Sequence, residues 1–119
     1  MLGWLRRRRR RKLRAAPLPA GWAEALERNA PFVARLRDAD RTRLLDDIKV
    51  LVAEKHFIGA GGMEITDEVK VTIAAAAARL TLHLDVSLYD DLTEIVVYPE
   101  AYRHPDADDV AVFGEAHHW

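Results

Sequence analysis

The run from Asp67 to Leu84 constrains this chain more than any other. Val69, Ile73, Ala76, Ala77, Leu80 and Leu84 recur at helical spacing, and Val71, Ala74, Ala75, Ala78 and Leu82 fill much of the opposite side. A helix that is apolar all round is buried all round. Five consecutive alanines, Ala74 to Ala78, let neighbouring elements come close. Thr66 supplies an N-cap, and Asp67 and Glu68 suit the positive end of the helix dipole. The fold must therefore enclose this helix. A chain of 119 residues with two other helices in its body has little to enclose it with. The expectation is that partner segments lie elsewhere and that apolar surface around Ile73 to Leu84 is exposed.

The other elements are shorter. Trp22 to Asn29 reads as a helix stopped by Pro31, with Trp22, Ala25 and Leu26 on one edge. A second helix is expected from about Ala39 to Lys55, capped by Asp38 or Asp40. Leu44, Ile48, Leu51 and Val52, with Leu45 beside them, form its buried stripe; Arg43, Asp46, Asp47 and Glu54 take its wet side. Gly59, Gly61 and Gly62 break the chain into a tight turn, and Met63 to Ile65 is a brief extended piece. Ile95 to Tyr98 is a strand stopped by Pro99, and Val110 to Phe113 reads as a second. The fold class is α+β.

Charge is split along the chain. Residues 1–14 carry eight cations, Arg6 to Arg11 with Lys12 and Arg14, and no acid. The remainder holds 10 basic and 19 acidic side chains, a balance of −9. Leu2, Trp4 and Leu5 precede the cations and only Ala15-Ala16 follows them before Pro17, which is the wrong order for a secretory signal. No stretch approaches the ~18 apolar residues of a membrane span. There is no cysteine, so disulfides and thiolate metal sites are excluded. The default reading is a cytoplasmic protein. Charge runs at termini are usually mobile. Residues 1–16 are accordingly expected to be a disordered basic arm that neutralises an acidic body, residues 17–119.

The residues that carry chemistry elsewhere do not assemble into a site here. Zinc needs three or four ligands at fixed spacings, and His56, His83, His104, His117 and His118 contain no pair four apart around a Glu. His83 falls on the apolar helix and reads as an interior histidine. Glu64, Asp67 and Glu68 cluster at a helix start, where capping accounts for them. Ser87 is the only serine and lacks a G-x-S-x-G context. Gly59-Ala60-Gly61-Gly62 lacks the Lys-Ser/Thr ending of a phosphate loop. No residue of this chain is assigned a catalytic, cofactor-binding or metal-ligating role.

One series of residues does point to a family. Lys55 and Phe57, Gly62 with Glu64-Ile65-Thr66-Asp67-Glu68, Ile73-Ala74-Ala75 and Ile95-Val96-Val97-Tyr98-Pro99 come in fixed order. Gly3-Trp4-Leu5 before the arginines, Leu18-Pro19 and Gly114-Glu115 extend the likeness over nearly the whole chain. The order resembles the N-terminal portion of the zinc-dependent peptidases of the Mlc titration factor A type. There are departures. Ala76-Ala77 stands where the family has Gln-Ala, the stretch between Tyr98-Pro99 and Gly114-Glu115 is short, and His118-Trp119 stands where the family has Ser-Trp.

The resemblance implies an α+β, zincin-like metallopeptidase with N-terminal helices packed on a small sheet. It implies a cytosolic protein with aminopeptidase-like activity on peptide substrates. Zinc would be held by the two His of a later H-E-x-x-H helix and a downstream Glu, with the motif Glu as general base on the bound water. H-E-x-x-H does not occur in this sequence. The chain is thus expected to bind no zinc and to be inactive alone. Family likeness also suggests a transcriptional repressor as partner. The alternative is a small binding module that uses Arg6 to Arg11 on nucleic acid or an anionic membrane, with salt-sensitive affinity.

Overall fold

A computed structural model describes residues 2–103. In chain order it contains α1 (Leu2–Ala15), α2 (Trp22–Asn29), α3 (Phe32–Arg35), α4 (Asp38–Glu54), β1 (His56–Gly59), α5 (Asp67–Leu80), β2 (Glu94–Val97) and α6 (Pro99–Arg103). Short 3-10 turns occupy Ala60–Gly62 and Val86–Tyr89. The strand expected at Val110 to Phe113 lies outside the described residues. The architecture is α+β, as the sequence indicates.

The central unit is β1–α5–β2. The two strands run parallel with Phe57 opposite Ile95 and Gly59 opposite Val97. Parallel neighbours need a crossover, and α5 is that crossover. One side of α5 places Val69 and Ile73 against Phe57, Ile95 and Val97 of the sheet. Another side places Val71, Ala74, Ala75 and Ala78 against Leu26 of α2 and Leu44, Ile48 and Leu51 of α4. Ala74, Ala75 and Ala78 are wholly enclosed, so small side chains set how near α2 and α4 come. This corrects the expectation that the chain cannot cover its apolar helix. The body holds more elements than two helices, and Ile73 itself is buried. The large apolar groups left in water nearby are Leu80, Leu84 and Leu88.

α5 begins as expected. Thr66 Oγ1 accepts from the Val69 N–H at 3.2 Å. Thr66→Ala should lower stability by about 1 kcal/mol, the usual worth of an N-cap, read as a shifted urea midpoint with an unchanged slope. The helix ends four residues early, at Leu80 rather than Leu84. From Thr81 the N–H groups turn to carbonyls three residues back, Thr81 to Ala78 and Leu82 to Arg79. This tightened turn closes the helix and swings His83 and Leu84 into water. His83 is therefore exposed, not interior.

α4 shows a second difference. Its N-cap is Arg37, with no side-chain cap. Asp38 sits inside the first turn and pairs with Arg41 at 2.9 Å. Arg41 in turn donates to the carbonyls of Val33, Ala34 and Leu36, which ties α3 to α4. The wet side assigned to Asp47 and Glu54 is also overturned. Asp47 is buried and Glu54 is half-buried, because α1 covers that flank of α4.

The largest correction concerns residues 1–16. The segment read as a disordered arm is a 14-residue helix lying on α4. Three of its eight cations form fixed pairs with acids of the body. Arg6, Arg10 and Arg14 recur every fourth residue, so they share one face. That face turns inward onto Asp90, Glu54 and Asp47.

Candidate functional site

The C-terminal ends of β1 and β2 lie side by side, because the strands are parallel and in register. In open parallel sheets this is the end where ligands bind. After β1 comes the Gly-rich turn. Gly61 and Gly62 adopt φ of 63° and 78°, which glycine reaches without steric cost. Gly59 is a glycine for another reason: a Cβ there would lie 2.0 Å from the Met63 carbonyl oxygen. After β2 come Tyr98, which is exposed, and Pro99. Met63, Ile65 and Tyr102 pack against the sheet at this end. The strand His56–Gly59 was missed from the sequence. It holds only four residues, and its pairing with β2 defines it.

An ionic clamp holds the approach to β2. Arg10 donates to both Glu54 oxygens at 2.9 and 2.7 Å, and to Asp90 Oδ1 at 2.7 Å. Arg6 donates to the other Asp90 oxygen at 3.0 Å. Hydrogen bonding from Arg10 draws the Glu54 carboxyl below its ordinary range, against the opposing effect of burial. Next to it, Lys55 Nζ donates to the carbonyls of Tyr89 and Leu92, both at 2.6 Å. Burial pushes the Lys55 ammonium down. Tyr89 OH donates to the Ala77 carbonyl at 3.0 Å, in the last turn of α5, where carbonyls lack in-helix donors. The segment from Val86 to Leu92 is thus fixed at once to α1, α4 and α5, and it delivers the chain into β2.

Lys49 serves α1 in the same way. Its Nζ donates to the carbonyls of Arg14 and Ala16, both at 2.7 Å, and so caps the C-terminal end of α1. Burial pushes the neighbouring Asp47 carboxyl up, with Arg14 3.4 Å away as a partial counter-charge. Arg10, Glu54, Lys55 and Asp90 gave no sequence signal as a group. The arginine row at every fourth position was the one available clue.

The groups weighed as chemistry do not converge. His56 and His83 are exposed; His104, His117 and His118 lie outside the described residues. Glu68 accepts from Arg28 at 2.8 Å and Asn29 at 2.7 Å, which ties α5 to α2 and draws its carboxyl down. Ser87 donates its backbone N–H to Asp85. Among the described residues no cluster of three or more His, Cys, Asp or Glu side chains is placed to hold a metal ion. The described residues do not fit a zinc site. No helix among the described residues is long and apolar enough to cross a membrane.

The sequence profile of the glucose-regulated metallo-peptidase M90 family matches residues 4–118. The chain belongs to that family. An uncharacterized protein of Synechocystis sp. is 38% identical over 95 residues, 80% of this chain and 34% of the relative. Mlc titration factor A of Yersinia pestis and of Yersinia pseudotuberculosis are each 29% identical over 87 residues, 73% of this chain and 32% of the relative. The M90 chain thus spans about a third of the length of the curated relatives it matches. The matched region takes in α1 from Trp4 onward, so the arginines of this helix fall within the family's own extent.

Proposed function

We propose that this chain forms the N-terminal layer of a cytosolic, zinc-dependent peptidase with aminopeptidase-like specificity, and that it has no activity alone. The family match over residues 4–118 carries this reading. The β1–α5–β2 unit would be the seed of a larger sheet. Strand edges present unpaired N–H and C=O groups that further strands can join. Tyr98 and Pro99 would lead towards the substrate-binding strand. The clamp of Arg10, Glu54 and Asp90 would keep β2 in place while a peptide is bound. Zinc, held by residues of an H-E-x-x-H helix further along, would activate water for attack on the peptide bond. A repressor partner rests on family likeness alone.

The test compares two proteins: this 119-residue chain, and a form continued through the H-E-x-x-H segment of its reading frame. Aminoacyl-anilide hydrolysis is followed with and without a zinc chelator. The expected result is chelator-sensitive hydrolysis by the longer form and none by the shorter. A longer form that carries the motif, binds zinc and hydrolyses no peptide substrate would sink the proposal.

A further inference from the structure

Among the described residues, the outer face of α1 is left in water. Arg6, Arg10 and Arg14 point inward. At about 100° per residue, Trp4, Leu5, Arg8 and Lys12 fall on the opposite side, flanked by Arg9 and Arg11. All six are exposed, with Trp4 at 50% and Leu5 at 47%. None of these four cations forms an ion pair among the described residues. The helix that carries them is held by the arginine row and by Lys49. The face is therefore presented in one orientation.

We infer that this face docks on an anionic lipid bilayer. The cations would sit against the acidic headgroups, and Trp4 and Leu5 would enter the interfacial region beneath them. A polyanion alone would account for the arginines. It would not account for two large apolar side chains kept in water at the N-terminal end of the same face. The boundary between headgroups and acyl chains takes both, and tryptophan favours that depth. With 14 residues, α1 is roughly 21 Å long, enough to lie flat across several headgroups. Docking this way requires no spanning segment.

The test is co-sedimentation of the protein with vesicles of phosphatidylcholine, alone or with about 30% phosphatidylserine, at low salt. Binding is expected only to the anionic vesicles. Arg8→Gln with Lys12→Gln should weaken it about 30-fold, the loss of two cations near an acidic surface. Trp4→Ala should weaken it too. Brominated acyl chains should quench the parent more than a Trp4→Phe variant, because Trp4 is the inserted fluorophore. Arg28→Gln, a substitution away from α1, should leave binding within about twofold. Circular dichroism checks that each variant keeps its helix content. Equal binding to neutral vesicles, or anionic binding unchanged in the α1 variants, would overturn the inference. So would a short nucleic-acid duplex that binds more tightly than the vesicles and ignores Trp4→Ala; the face would then be a nucleic-acid site.

Discussion

Gly59→Ala is expected to destabilise the protein by about 3 kcal/mol, the upper end of overpacking penalties. The added Cβ would lie 2.0 Å from the Met63 carbonyl oxygen and 2.8 Å from its carbon, where ordinary contacts are about 3.5 Å or more. The backbone at Gly59 is extended, with φ −87° and ψ 122°, so the cost is collision and not conformation. A flexible side chain could step aside, but a backbone carbonyl in a tight turn has little room to do so. The turn would shift and carry Met63 and Ile65 off the sheet. Thermal unfolding should drop by about 12 °C or more. Gly61→Ala is the control. Its Cβ would meet nothing within 4 Å, and only the positive φ opposes it, so about 1 kcal/mol is expected. Equal melting temperatures for Gly59→Ala and the parent would show that this close approach does not exist.

Arg10→Gln is the second large effect, expected at about 2–3 kcal/mol. Removing one member of a buried ion pair costs about 3–5 kcal/mol, because the partner keeps its charge without compensation. The figure is reduced here because Glu54 and Asp90 retain some contact with water, with side chains 15% and 25% exposed. The pH dependence distinguishes the clamp from simple packing. Glu54 titrates below its ordinary value in the folded protein. Its contribution is therefore present above the unfolded carboxyl value, about pH 4.3, and is lost as pH falls through the folded one. The gap between parent and variant should be widest near neutral pH and narrow towards pH 3. A gap that stays constant over that range would assign Arg10 a packing role alone.

Periodicity made α4 and α5 legible, because each repeats its apolar positions over two turns or more, and α2 was legible from its apolar edge at Trp22, Ala25 and Leu26 and the stop at Pro31. Thr66 and the branched run at Ile95 were legible because their signals are local. The remainder depends on pairings between distant residues. β1 has four residues and gains its identity from β2, across the whole of α5. Asp47 and Glu54 look like surface residues by their charge, although they flank the apolar stripe; a second helix covers them, and its own sequence resembles a solvated tail. Local charge density describes Arg10 well as a cation, yet says nothing of Glu54 and Asp90. The same limit applies to chemistry. The run from Lys55 to Pro99 discloses the family, while in this region its residues build scaffold.

The clamp also sets an order of events during synthesis. Glu54 leaves the ribosome 44 residues after Arg10, and Asp90 80 residues after it. At the usual pace of translation, that second delay is roughly 4–16 s. Through the whole of that interval Arg6 lacks its partner Asp90, and until Glu54 has emerged Arg10 lacks both carboxylates of its clamp. The inner arginine row is thus paired piecemeal, Arg14 and Arg10 with α4 first and Arg6 only when Asp90 follows, so α1 can be held over α4 before it is tied to the segment that leads into β2.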